Sequence, residues 1–368
     1  MRSPNNNIFR VLTLDGGGIR GLYSASVIRR LLALFNSPVT QDSYDFGKSF
    51  DLICGTSTGA ILACALAAGV PIKEIVDLYV EHGKAIFPKP TPTGKKLLLW
   101  GPRHLNKPSS NHQILRSALS AVLGNKTLGQ IYEERNIGLC IPTVNADNHQ
   151  ALVFKTPHTK SPNKGKRDIN QTLVNICMAS SAAPILLPIH CQKDPDNEHA
   201  SQHFVDGGLW ANSPVLVGLI DALDIAPPES AIEILSIGTC DRPNGDPAAL
   251  ENPNWGIWRW RAGVNIVEMS LAAQAFGHQH MARILAEAFS KLGKKINIIR
   301  LNQTSKSPEK FSAIGLDKAD KTAIDTLLAM AREDAEIIHS KATSNNPDEY
   351  RPLTDIFTNL AQFGAERR

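Results

Sequence analysis

The sequence predicts an α/β protein, an αβα sandwich around a mostly parallel sheet. Three observations predict it. Short, unbroken apolar runs alternate with longer segments whose apolar residues recur at helical spacing, the mark of parallel strands buried on both faces. Two of those runs end in glycine-rich knots, Asp15-Gly16-Gly17-Gly18 and Gly55-Thr56-Ser57-Thr58-Gly59, that lead straight into helical segments. The chain has 368 residues with 42% hydrophobic side chains, enough for one large core.

The elements follow in order. Phe9 to Leu14 reads as a strand stopped by the first knot, and Gly21 to Phe35 as an amphipathic helix. Phe50 to Cys54 is a short buried strand, followed by a small-residue helix at Thr58 to Ala68 and an amphipathic one at Ile72 to His82. Gly83 to Ser110 breaks the rhythm with five prolines, six Lys/Arg and no acid, and reads as an insertion. The rhythm resumes with strands at Ile137 to Val144 and Ala151 to Lys155, a helix at Asp168 to Ser180, and a short strand at His203 to Asp206. Ser213-Pro214 has the pattern of an N-cap followed by a first-turn proline. A strand at Ile232 to Ile237, a helix at Val264 to Phe289, a strand at Ile296 to Leu301 and a charged helix at Asp317 to His339 complete the chain. The expected organisation is one domain over residues 8–302, with residues 303–368 as a helical extension packed on it.

A formal net charge of +4 and no continuous basic face argue against a nucleic-acid polymer as partner. The N-terminus has no signal-peptide core, and the tidiest apolar run, Ala60 to Val70, falls short of the roughly 20 residues that span a bilayer. The expectation is a cytoplasmic protein whose membrane contact is peripheral, at the inner surface. The cysteines at 54, 64, 140, 177, 191 and 240 form no CxxC pair, and read as reduced, mostly buried thiols rather than metal ligands. His199 and His203 read as surface histidines.

The second knot fits G-x-S-x-G between strand and helix. A sharp turn there exposes Ser57 at a strand end, where helix N–H groups favour developing negative charge. Gly55 and Gly59 remove side chains that would collide in the turn. In Asp15-Gly16-Gly17-Gly18-Ile19-Arg20-Gly21, successive glycines can turn their N–H groups into one concavity, an oxyanion hole in an acyl-transfer enzyme. The same spacing matches the dinucleotide fingerprint G-x-G-x-x-G, but Asp42 and Asp45, at roughly the right offset, precede the next strand instead of ending it. In Phe204-Val205-Asp206-Gly207-Gly208, Asp206 stands at a strand end. It supplies a base for Ser57 if burial raises its pKa above the usual 3.9 or so.

DGGGIRG, GTSTG and DGG in this order, with Ala179-Ser180-Ser181-Ala182-Ala183-Pro184 before the last, resemble the patatin-like phospholipases over roughly residues 8 to 240. The resemblance implies a Ser57–Asp206 dyad, an oxyanion hole of Gly16, Gly17 and Gly18 steadied by Arg20, hydrolysis of fatty-acyl esters through an acyl-serine, and no cofactor or metal. The whole chain looks like the bacterial members of the family switched on by cyclic nucleotides in antiphage defence, which implies a cyclic nucleotide activator. Two rivals stand beside it. One is a general α/β-hydrolase with a Ser57–Asp206–histidine triad, using His278 or His280. The other is a non-catalytic nucleotide-binding module. The basic and apolar stretch Lys84 to Lys107, with Phe87, Leu97 to Leu99 and Trp100, suits an anionic membrane surface, a lid over an anionic activator, or a solvated loop. The basic stretch Lys155 to Arg167 suits a solvated loop or an anion site. Trp255, Trp258 and Trp260 suit a packing anchor, an interface or a nucleobase clamp.

Overall fold

The computed structural model describes residues 8–36, 41–88, 112–159, 167–194, 197–240, 256, 260, 264–301, 307–344 and 350–363. Most of the basic insertion, residues 160–166 of the second basic stretch, and Trp255 and Trp258 lie outside the described residues.

In chain order the elements that build the site are β1 (Ile8–Leu14), α1 (Gly21–Phe35), β2 (Tyr44–Asp45), β3 (Leu52–Gly55), α2 (Thr58–Ala68), α3 (Ile72–Ile86), α4 (His112–Leu123), α5 (Leu128–Arg135), β4 (Gly138–Asn145), β5 (Gln150–Lys155), α6 (Leu173–Ser180), β6 (His190–Asp194), β7 (Asn197–Asp206), α7 (Gly208–Ala211), α8 (Val215–Ile225), β8 (Ala231–Ile237), α9 (Val264–Lys291), β9 (Ile296–Leu301), α10 (Pro308–Ala313), α11 (Lys321–Thr343), α12 (Arg351–Thr358) and β10 (Ala361–Gln362). Strands β4, β3, β1, β8 and β9 run parallel as the centre of an eight-stranded sheet. β5, β6 and β7 join it antiparallel. β2 and β10 form a separate small pair.

Core residues lie on both faces of the sheet. Leu12, Leu14 and Ile53 pack with α1, α2 and α11, while Val11, Leu52 and Cys54 pack with α8. Residues Thr58 to Ala67 of α2 are all buried. Its alanines, glycine and cysteine let it sit close against the strands, and a helix apolar all round belongs inside. α11, beyond residue 302, lays Leu327, Met330 and Ala331 into the same core as Leu22 and Ile28 of α1.

One feature of the register sets up the site. β4 pairs with β5 along one edge, over Cys140 to Asn145. Its other edge is shared. β3 runs along it from Gly138 to Cys140, and β7 arrives from the opposite direction over Asn145 to Thr143. The two chains therefore end facing each other across Ile141 and Pro142. A proline, with no N–H to donate, suits a stretch of central strand that lacks a ladder partner there.

Several expectations shift. The helix expected from Asp168 begins at Leu173, with the Thr172 hydroxyl accepting from the Asn175 N–H. Asp168 is instead buried in the preceding turn, where it accepts from the Lys155 N–H and from Arg167. Ser213 does not cap α8. The helix begins at Val215 behind Pro214 without a side-chain cap, and the Ser213 hydroxyl accepts from Gln279. The strand before Asp206 is ten residues long and is the second arm of a hairpin with β6.

Candidate active site

β1, β3 and β8 are neighbours and parallel, so their carboxyl ends release three loops side by side. That edge is where open α/β sheets place ligands. The Thr56 N–H donates to the Leu14 carbonyl (3.2 Å) and the Asp15 N–H to the Ile237 carbonyl (3.1 Å), which locks the loops together.

Ser57 sits at the tip of the turn between β3 and α2 with φ 55° and ψ −120°. A serine there is strained by about 1–3 kcal/mol. The surroundings over-determine it. The Thr56 hydroxyl donates to the Ala211 carbonyl (2.6 Å). The Ser57 N–H donates to the Ser180 hydroxyl (3.0 Å), which itself donates to the Pro142 carbonyl (2.6 Å) in the gap between β3 and β7. A Cβ on Gly59 would lie 2.2 Å from the Leu14 carbonyl oxygen, so the turn closes only around glycine.

Asp206 ends β7 on the far side of that gap. The Ser57 hydroxyl donates to its Oδ2 at 2.7 Å, and the Gly208 N–H donates to its Oδ1 at 2.7 Å. Both side chains are buried. Desolvation pushes the Asp206 pKa up to about 6, against the opposing pull of the two donors. A carboxylate at that pKa can take a hydroxyl proton near neutral pH and return it.

The glycine loop faces the pair. Gly18 has φ +59°, and a Cβ there would lie 2.0 Å from the Leu316 carbonyl oxygen. The N–H groups of Gly17 and Gly18 take no backbone acceptor among the described residues. Arg20 reaches back from the following turn, and its Nε donates to the Gly17 carbonyl at 3.3 Å. The sequence expected N–H groups from all three glycines, but Gly16 donates its own to the Asn212 carbonyl at 2.9 Å. That leaves the Gly17 and Gly18 N–H groups as the loop's donors on the side of Ser57.

Ser57, Asp206, Gly17 and Gly18 line one cavity that opens to solvent. Its walls are apolar, with Ile61, Leu78, Ile86, Leu115, Leu187 and Leu271 among them. Leu316 and Asp317, from the C-terminal segment, also reach it. Reading the sequence alone missed Ser180, Asn212 and Leu316. Ser180 lies in the small-residue segment 179–184, which could have drawn attention to it; Asn212 and Leu316 carry no local signal.

The dinucleotide reading loses its acidic residues, because Asp42 pairs with Arg29 and Asp45 with Arg135. The histidines of the triad reading are also engaged elsewhere. His278 contacts the Ser213 carbonyl through Nδ1 and His280 contacts Arg283, and neither lines the cavity. His278→Ala and His280→Ala are each expected to keep ester hydrolysis within about threefold of wild type. A loss beyond about 10²-fold in either, the scale of a removed general base, would restore the triad.

Comparison with known proteins gives one consistent answer. A family model described as patatin-like phospholipase matches residues 12–219. A cGAMP-activated phospholipase of Vibrio cholerae serotype O1 is 30% identical over 341 residues, covering 89% of this chain and 90% of that protein. One from Escherichia coli strain TW11681 is 28% identical, covering 89% of each. Patatin-like protein 1 of Arabidopsis thaliana is 32% identical over 384 residues, covering 97% of this chain and 88% of that protein.

Proposed function

The chain belongs to the patatin-like phospholipase family, and on that premise we propose that it hydrolyses fatty-acyl esters of membrane phospholipids by a Ser57–Asp206 dyad. The observation that carries this reading is the 2.7 Å contact from the Ser57 hydroxyl to Asp206 at the floor of a large apolar cavity. Ser57 Oγ attacks the ester carbonyl carbon while its proton passes to Asp206 Oδ2. The tetrahedral oxyanion accepts from the Gly17 and Gly18 N–H groups, whose loop Arg20 holds in place. The carbon–oxygen bond to the lysolipid then breaks, and Asp206 protonates the leaving alkoxide. Water attacks the acyl-serine, giving its proton to Asp206, and the fatty acid leaves as the Ser57 hydroxyl re-forms. The apolar walls suit an acyl chain, since each buried methylene contributes roughly 0.8 kcal/mol.

The membrane approaches at the mouth of that cavity. Ile185 and Leu209 line it and are 43% and 39% exposed, and Ile189 close by in the chain is 57% exposed. Ile185 has φ 73°, a costly conformation for a β-branched residue, and so a forced placement. α9 sends Val267 and Leu271 into the cavity while Ile266 and Met269 stay 54% and 53% exposed. None of the described helices is long and apolar enough to cross a bilayer. Ile266→Glu with Met269→Glu is expected to cut fatty-acid release from vesicles by about tenfold or more, from the apolar burial lost. Hydrolysis of a soluble short-chain ester should hold. Equal losses on both substrates would place the effect in the cavity and not at the membrane.

The two bacterial relatives carry cGAMP activation in their names. We extend that control to this chain, in antiviral defence at the cytoplasmic face of the membrane. Fatty-acid release from phosphatidylethanolamine–phosphatidylglycerol vesicles, with and without cGAMP, tests it. Release only with the nucleotide is the expected result. Equal release in both arms keeps the hydrolase and removes the switch.

A further inference from the structure

Beneath the nucleophile turn, on the opposite side of the sheet from α2, three chemistry-bearing side chains from three segments converge. Cys140 of β4 stands opposite Cys54 of β3 in the strand register. His158 comes from the turn after β5 and Asp221 from α8. Cys140 Sγ lies 2.8 Å from Asp221 Oδ2 and 3.8 Å from His158 Nε2, and His158 Nε2 lies 3.2 Å from the same carboxylate oxygen. Cys54, Cys140, His158 and Asp221 are 0%, 0%, 9% and 6% exposed.

We propose that Cys140, His158 and Asp221, whose ligand atoms all lie within 4.8 Å of one another, bind a divalent cation of the zinc class. A thiolate sulfur, an imidazole nitrogen and a carboxylate oxygen are three zinc donors, which leave the fourth tetrahedral position to water. Bond lengths of about 2.0–2.3 Å to such a metal put neighbouring ligand atoms about 3.3–3.6 Å apart. The observed triangle brackets that range and needs shifts of about half an ångström. The outward atoms are already held as such a site requires. His158 Nδ1 is 2.6 Å from the Thr156 hydroxyl, which fixes the ring so that Nε2 points inward. The second carboxylate oxygen of Asp221 accepts from Lys155 Nζ at 2.5 Å. Gly138 leaves room for the imidazole, since a Cβ there would lie 3.2 Å from the His158 ring. The charges close as well. One thiolate and one carboxylate match the metal's +2. Binding releases the Cys140 thiol proton to water. The site would clip β4, the turn after β5 and α8 together beside the strand that leads to Ser57. It is independent of the reading of Ser57 as a nucleophile.

Loading the full-length, metal-stripped protein with Co²⁺ tests the proposal, because cobalt bound to thiolate in a tetrahedral site gives sulfur-to-metal charge-transfer and visible d–d absorption. The expected result is saturation at one cobalt per chain and displacement by Zn²⁺. Cys140→Ser and His158→Gln should lose the bands, while Cys191→Ser, at an exposed thiol away from the cluster, keeps them. A wild-type protein without these bands, or a Cys140→Ser variant that retains them, overturns the proposal. Should the variants fold poorly, the wild type decides alone: its melting temperature rises with Zn²⁺ over chelator if the site exists, and no rise overturns it.

Discussion

Ser57→Ala is expected to reduce kcat/KM on phospholipid vesicles and on soluble esters by at least about 10³-fold, the scale on which removing a nucleophile stops an acyl-transfer enzyme. The loss should fall on kcat, because the apolar cavity that holds the acyl chain is untouched. The substitution removes one buried hydroxyl and its bond to Asp206, and leaves the turn held by the Thr56 hydroxyl and the Ser180 bridge. Circular dichroism and melting should therefore report a folded protein. A folded variant that keeps more than about a tenth of the activity would remove Ser57 from the chemistry, and would favour the non-catalytic nucleotide-binding reading of the glycine loops.

Asp206→Asn should cost about as much, at least about 10²–10⁴-fold for a lost general base. It carries two further signatures. Wild-type kcat/KM should rise with pH up to about 6 and then level, because only the carboxylate form takes the Ser57 proton and burial holds the Asp206 pKa at about 6. The second signature is in stability. The folded pKa is raised from 3.8, so the group's contribution is fully present below the unfolded value and is lost as pH rises through about 6. Asparagine does not titrate, so Asp206→Asn should melt several degrees above wild type at pH 7.5, with no such gain at pH 4. A variant less stable than wild type at pH 7.5 would mean that the Ser57 and Gly208 bonds outweigh the desolvation, and the Asp206 pKa would then lie near the ordinary range.

The layered fold was legible in the sequence for a physical reason. Parallel strands buried on both faces leave unbroken apolar runs, so VLTL, DLIC and IEILSI announce β1, β3 and β8 without help from their neighbours. The turns after β1 and β3 were legible because a close backbone approach admits only glycine at Gly18 and Gly59. The partnership of Ser57 and Asp206 could be guessed only from motif order. Its geometric basis, the meeting of β3 and β7 along one edge of β4, is a matter of register between strands more than 140 residues apart, and nothing local encodes it. The same holds for Ser180, which reaches across the gap, and for Asn212, whose carbonyl occupies the Gly16 N–H. Helices α4 and α5 were missed because they follow the proline-rich insertion. A capping box at Thr127 and Gln130 does mark the start of α5. Cys140 looked inert because its partners, His158 and Asp221, come from segments with no ligand spacing.

The central claim is that Ser57 is an activated nucleophile, and covalent labelling tests it most directly. The folded protein, with cGAMP present, would be treated with a long-chain alkyl fluorophosphonate and the adduct located by peptide mass spectrometry. A single adduct on Ser57 is expected, one that forms on wild type, is lost in Ser57→Ala and is strongly slowed in Asp206→Asn. An adduct on a different side chain, or no adduct from protein that hydrolyses phospholipid in the same tube, would contradict it.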